Sequence, residues 1–491
     1  MISLNELVKV VPGHVQVIGY DGNMVKSLCA DSRKVESGAL FFCIPGTRID
    51  AHDYAPQAIA AGAVAVVVDR QLPIDATQVI VRDVREALSL MAAAFFGNPA
   101  KKITLIGLTG TKGKTTASFL VKSILETAGH RTSLIGTVCS MIGDEEVPAS
   151  LTTPDPIDFQ SLLRRMADAG VTHAVMEVSA HALALRKMEG VRFAAAAFTN
   201  LSQDHIDFFH TMDNYLAAKM LLFTPDKCKT ALYNADDERV AQAMAAVPAA
   251  VPTHSVGIRA SAEIYANDIE VGERGCSFRL TFNKRFRLSV QLKLSGIFNV
   301  YNAMMAAALC DAVGVKPDAI RRGLEAVRSV PGRIELLETE TPFRVILDYA
   351  HSPDSLSNIL TTVRQTTPRG KVIALFGCGG DRDHAKRPMM GEIGGRLADF
   401  SILTSDNPRS EDPMDILAEI EEGIKKTDGR YTVIENRREA IRWALTHAQP
   451  GDVVVLAGKG HETYQEIKGV KHPFDEKVVV RELLTEIHGK A

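Results

Sequence analysis

The segment GTKGKTT, residues 110–116, carries the most specific chemistry in the chain. Gly110 and Gly113, with Gly107 upstream, permit a tight turn whose backbone N–H groups face inward. Lys114 adds a compact positive charge suited to β and γ phosphates, and Thr115 offers a hydroxyl to Mg²⁺. Thr111, Lys112 and Thr116 complete a loop that predicts nucleotide binding. A carboxylate, Glu177, follows the apolar run HAVM, and the block FTNLSQDHIDFFHTMDNYLAAK gathers Asn200, Asp204, His205 and Lys219. A bare nucleotide switch needs little beyond the loop, so these groups predict chemistry on the phosphate. Taken alone, Glu177 also fits a structural partner.

The loop needs a strand before it and a helix after it. ITLIGL supplies the first, and Ala117, Leu120, Val121, Ile124 and Leu125 recur at helical spacing to supply the second. The same alternation continues through THAVMEVSAH, AAAAFTNLSQDH, RVILDYAHSPDS, KVIALFGCGGDRD, FSILTSDNPR and DVVVLAGKGHE. Each places polar residues just past the carboxyl end of an apolar run, where ligands bind in open parallel sheets. The fold class expected is α/β, with the phosphate loop on a parallel sheet.

At 491 residues the chain exceeds one hydrophobic core. FFGNPAKK (95–102) and SVPGR (329–333) read as linkers, giving domains at 1–98, 99–331 and 332–491. Charged residues make up 23% with a net charge of −3, so no basic field argues for nucleic acid. No apolar run reaches the roughly 18 residues of a membrane span, and the amino terminus lacks a signal pattern, which predicts a cytoplasmic protein without membrane insertion. The 7 cysteines show no CxxC or zinc-like spacing and are expected to be reduced and buried. For Cys378, in a glycine loop, packing is favoured over reactivity.

Across essentially its whole length the sequence resembles the Mur ligase family, ATP-dependent amide-forming enzymes of bacterial cell-wall synthesis. The resemblance rests on DSRKVESGALFFCIPG, GTKGKTT, LTTPDP, MEVSAHAL, FTNLSQDHIDFF, YLAAK, SGIFNVYN, PGR, DYAHSPD, GCGGDRD, DNPR and GKGHE in that order. It implies a UDP-binding amino-terminal α/β domain, a central P-loop ATPase domain and a Rossmann-like carboxyl-terminal domain. It further implies that ATP and Mg²⁺ convert a carboxylate to an acyl phosphate, which an amine then attacks. Lys114, Glu177, His205 and Lys219 would be catalytic, with Thr115, Glu177, His205 and Lys219 about two metal ions. Lys219 would carry a CO₂-derived carbamate (N6-carboxylysine), because an ammonium cannot ligate a metal. A plain surface lysine on the helix DNYLAAKMLLF is the alternative.

By the same resemblance Asn299, Asn302, Arg333, Asp348 and His351 would join the loop around ATP, although buried capping roles also suit the asparagines. Ser32, Thr152, Thr153, Ser179 and Lys187 would meet UDP-N-acetylmuramoyl-L-Ala-D-Glu; threonines there also suit helix caps. Arg382, Asp406, Asn407, Pro408, Arg409, Gly458 and Glu462 would receive meso-diaminopimelate. Arg409 offers a planar fork for the distal carboxylate that lysine lacks, and Glu462 suits the distal ammonium. DNPR also reads as a β-turn. The chain departs from relatives at SAHAL, commonly SSHAL, at Lys187, commonly an arginine, and at Lys112, often an asparagine. The first two bear on the donor contacts; Lys112, within the phosphate loop, is a milder change. Small-molecule substrates and a monomer are expected. The alternatives are lysine or another diamino acid as acceptor, a folate or poly-glutamate ligase, and a catalytically silent nucleotide-dependent scaffold.

Overall fold

The structure, a computed structural model, describes residues 1–488 apart from 21, 47, 48, 149, 150, 260 and 284. Each run read as a strand is one: His173–Glu177, Ala195–Phe198, Arg344–Asp348, Val372–Phe376, Phe400–Leu403 and Val453–Ala457. In the helix Lys114–Thr127, Ala117, Leu120, Val121, Ile124 and Leu125 are fully buried as their spacing requires.

The chain folds as three α/β domains around three main sheets. The first sheet has five strands, with Ser27–Cys29, Ala39–Phe42, Ala65–Val68 and Gln78–Ile80 parallel and Gln16–Ile18 antiparallel at one edge. The central sheet has eleven strands and is mixed, where a parallel sheet was expected. Its middle is parallel, and Thr104–Thr109 lies between His173–Glu177 and Ala195–Phe198. One edge ends in the antiparallel meander Ile264–Gly272, Gly275–Phe282 and Phe286–Leu292. Consecutive strands there are joined by tight turns, which permit only antiparallel pairing. Helix Ile297–Ala312, apolar on nearly every face, packs against both the sheet and the phosphate-loop helix.

The third sheet orders Arg344–Asp348, Val453–Ala457, Val372–Phe376, Phe400–Leu403 and Tyr431–Val433 in parallel, with Glu335–Leu337 antiparallel at the edge. Helices Pro353–Gln365, Lys386–Leu397 and Pro413–Ile424 bury one face, and Arg437–His447 and Glu476–His488 the other. This double winding leaves the carboxyl ends of its strands free for a site. No helix among the described residues is long and apolar enough to cross a membrane.

Candidate active site

Parallel register brings Glu177 opposite Leu108 and Phe198 opposite Thr109, so three loops leave the central sheet side by side. Between them the phosphate loop turns into its helix at Gly113, where φ is 86° and a Cβ would lie 2.3 Å from Asn302 Oδ1. Only glycine fits there. Asn200 clamps the loop, accepting from the Lys112 backbone N–H at 2.8 Å and donating to its carbonyl at 3.0 Å.

Glu177 is buried, so its carboxylate needs donors. The Thr115 hydroxyl donates at 3.2 Å, and Thr137 donates its backbone N–H at 3.0 Å and its hydroxyl at 2.9 Å. Lys114 Nζ curls over the loop to the Gly110 and Thr111 carbonyls at 2.8 and 3.1 Å. Lys219 is not a surface lysine. It is 1% exposed, with Nζ 2.9 Å from the Gly110 carbonyl and 4.3 Å from the Tyr215 ring centroid. Burial first, and then the nearby Lys114 ammonium, pull its pKa well below the ordinary lysine value. Burial also lowers Lys112 and Lys114, whereas at Asp204 burial, which raises the carboxyl, is outweighed by neighbouring positive charge, Lys112 foremost, and the group stays ionised.

From the third domain Arg333 donates to Thr115 Oγ1 at 3.1 Å. Asp348 Oδ2 accepts from the Ile334 backbone N–H at 2.8 Å, and burial pushes its carboxyl up to about 6. Burial and Lys112 push His351 down to about 3, which keeps its ring neutral. These groups line a cavity of about 610 Å³ with the whole phosphate loop, Glu177, His205, Lys219, Asn299 and Asn302. Asn302 donates to Asn299 Oδ1 at 3.0 Å, and Asn299 donates to the Ser295 carbonyl at 2.8 Å.

A second cavity, of about 270 Å³, shares Asp204, His205, Tyr349, His351 and Asp354 with the first. Arg382, Asp406, Asn407, Arg409, Gly458 and Glu462 line it; Pro408 does not. Arg409, at φ 53°, donates to the Gly380 carbonyl at 2.7 Å and pairs with Glu466 at 3.3 Å. The turn anticipated at DNPR begins two residues later, closing from Glu411 N–H to the Pro408 carbonyl. Lys459, fully buried, reaches Asp406 at 3.4 Å, Asn407 at 3.0 Å and Glu462 at 3.3 Å. Cys378 packs beside Met390, and burial pushes its thiol up to about 12.

Residues assigned to the donor substrate are dispersed. Thr152 and Ser179 line the first cavity, and Thr152 meets the Thr137 hydroxyl at 3.1 Å. Thr153 is engaged internally, donating to the Glu177 carbonyl at 2.9 Å. Ser179 caps the helix Ala180–Ala184, and Lys187 pairs with Asp155 at 2.7 Å. Ser32 opens the short 3-10 helix Ser32–Lys34 and lines neither cavity. Sequence reasoning missed Thr137, Tyr349 and Lys459. For the last two the signal was present inside DYAHSPD and GKGHE, whereas Thr137 sits in an irregular turn with none.

A loop made for phosphates and a neighbouring pocket lined by both arginines and acids share part of their walls, the layout of an enzyme that spends a nucleotide on joining two molecules. The Mur ligase family catalytic domain profile matches residues 24–96, the Mur ligase middle domain 108–310, and the Mur ligase glutamate ligase domain 332–460. The UDP-N-acetylmuramoyl-L-alanyl-D-glutamate--2,6-diaminopimelate ligase of Caldanaerobacter subterraneus subsp. tengcongensis is 45% identical over 464 residues, covering 94% of this chain and 95% of its own length. The protein of the same name from Bacillus licheniformis is 43% identical over 494 residues, 99% of both chains. A solved structure bearing that name matches with a TM-score of 0.70 at 32% identity, again over 99% of both. The chain belongs to the Mur ligase family.

Proposed function

We propose that the protein is an ATP-dependent ligase that adds meso-diaminopimelate to UDP-N-acetylmuramoyl-L-Ala-D-Glu through an acyl phosphate, with the work divided among domains at 1–98, 99–331 and 332–491. The observation that carries this reading is the adjacency of the two cavities: nucleotide groups in one, Arg382, Arg409 and Glu462 in the other, with Asp204, His205 and His351 common to both. Full-length likeness to ligases of that name supports the substrates. Seven buried cysteines without disulfides support a reducing, cytoplasmic setting.

The donor carboxylate attacks the γ phosphorus, ADP leaves, and the acceptor amine then displaces phosphate from the acyl carbon. The loop amides and Lys114 hold the β and γ phosphates, and Arg333 offsets the charge that develops between them. Thr115 and Glu177 suit Mg²⁺: their oxygens stand 3.2 Å apart beside the loop. Among the described residues no three His, Cys, Asp or Glu gather as a metal cage, and such an ion would take further oxygens from the nucleotide; Lys219, as a carbamate, would serve a second ion. Mg²⁺ supplies charge neutralisation at the transferring phosphoryl group. His205 is assigned to the second metal site at the mouth shared by the cavities. Asn299, Asn302, Asp348 and His351 complete the nucleotide pocket. Ser32, Thr152, Thr153, Ser179 and Lys187 are assigned to the donor.

Incubating the protein with ATP, Mg²⁺, UDP-N-acetylmuramoyl-L-Ala-D-Glu and equal diaminopimelate and lysine, then weighing the product, tests the reading. The expected product carries diaminopimelate; a lysine adduct in excess rejects the acceptor assignment, and no ATP-dependent adduct rejects the whole.

A further inference from the structure

We propose that Tyr349 is a positioning residue that aims Glu462 at the acceptor and ties the acceptor pocket to the nucleotide-facing Arg333. The proposal rests on the reading of the second cavity as the acceptor pocket. Tyr349 lies between the two cavities and lines both. Its hydroxyl donates to Glu462 Oε1 at 3.3 Å, while Asn407 Nδ2 donates to the other oxygen, Oε2, at 2.9 Å. The carboxylate is thus gripped at both ends and cannot rotate freely. On the opposite side, the Arg333 guanidinium sits 5.0 Å from the Tyr349 ring centroid and reaches Thr115 Oγ1 of the phosphate loop.

The backbone around this ring is tightly fixed. Tyr349 N–H donates to the Gly332 carbonyl at 2.9 Å, joining the PGR segment to DYAHSPD. Gly460 of GKGHE has φ 55°, and a Cβ there would come within 2.9 Å of Tyr349 Cβ. Three motifs from separate parts of the chain therefore close on one aromatic ring. Burial, followed by the Glu462 charge, holds the phenol well above its usual pKa, so it stays protonated and donates.

One residue thus does two separable things: its hydroxyl orients an acceptor-binding carboxylate, and its ring supports an arginine on the phosphate side. Tyr349→Phe removes the first and keeps the second. In the full-length enzyme it is expected to raise the KM for diaminopimelate about tenfold, the worth of a longish hydrogen bond to a charged group, with the KM for ATP unchanged. Tyr349→Leu is expected to raise both. In a Glu462→Gln background the Tyr349→Phe change is expected to add little, because the hydroxyl acts through that carboxylate. Calorimetric binding of diaminopimelate, with a nonhydrolysable ATP analogue present, completes the cycle where turnover is too slow.

An unchanged diaminopimelate KM in Tyr349→Phe overturns the proposal, as does a full, additive effect in the Glu462→Gln background. A merely structural role would move the KM for ATP and the melting temperature together with that for diaminopimelate. Failure of the ligase reading is distinguishable, since the unmodified enzyme would then form no diaminopimelate adduct at all.

Discussion

Arg333 donates to the hydroxyl of Thr115 at 3.1 Å, so the segment that opens the third domain touches the first turn of the phosphate-loop helix. Lys112 and Lys114 make a cationic cluster with it, and after burial the Arg333 charge lowers the pKa of both lysines. Such crowding is relieved by a polyanion. Arg333→Ala is therefore expected to reduce kcat/KM by about 10²–10³, as for loss of one preorganised charge partner at a transition state. ADP release measured by a coupled assay checks it, and a loss under threefold rejects a role for Arg333 in turnover.

Lys219 has the environment of a neutral amine, which carbamate formation requires. Depleting CO₂ from the buffer is expected to lower activity, and bicarbonate to restore it. With ¹³C-bicarbonate, a carbonyl resonance should appear in the protein and be absent from Lys219→Arg. Because burial lowers the folded-state pKa, more of the reactive neutral amine is present at a given pH than for an exposed lysine, and that share decreases as pH falls. The same resonance in both proteins would place any carbamate elsewhere.

Much of this architecture was legible because periodicity and spacing report local requirements. The strand–loop–helix around Lys114 follows from apolar spacing and glycine placement, and the strand ends of the third domain follow from apolar runs closed by polar residues. The meander Ile264–Leu292 was also readable: FRLSVQL alternates exposed and buried positions in the manner of an antiparallel strand. Reading βα alternation throughout hid it. Thr137 could not be found this way, since its role depends on Glu177, which lies 40 residues further along the chain and is brought near only by the fold. The donor residues share no single cavity, because Ser32 follows a strand of the first sheet, Ser27–Cys29, whereas Ser179 follows a strand of the central sheet, His173–Glu177.

Arg409 is held in place by Gly380 and Glu466 before any acceptor arrives. A preorganised fork loses little entropy on binding a carboxylate. Arg409→Ala is expected to cost about 2–4 kcal/mol of preference for diaminopimelate over lysine, with nucleotide affinity intact. Competition between the two amino acids, read by product mass, checks it; an unchanged ratio rejects the fork as the source of selectivity.

Asp348 sets function against stability. Its carboxyl is buried and titrates near 6, above the ordinary value of 3.8, so the folded state binds its proton more tightly than the unfolded chain does. That preference is fully present below pH 4 and is lost as pH rises through about 6, leaving an ionised group that burdens the fold at neutral pH. A shift of this size corresponds to roughly 3 kcal/mol. Asp348→Asn keeps an acceptor for the Ile334 N–H without the charge, so it is expected to be more stable than the unmodified protein at pH 7.5 by about 1–3 kcal/mol. The advantage should shrink toward zero as pH falls to 4, while ligase activity is lost at every pH. Urea denaturation at several pH values measures the difference directly. A variant less stable than its parent at pH 7.5 would mean that Arg333 and the backbone donors already compensate the charge, and that Asp348 is ionised at no cost to the fold.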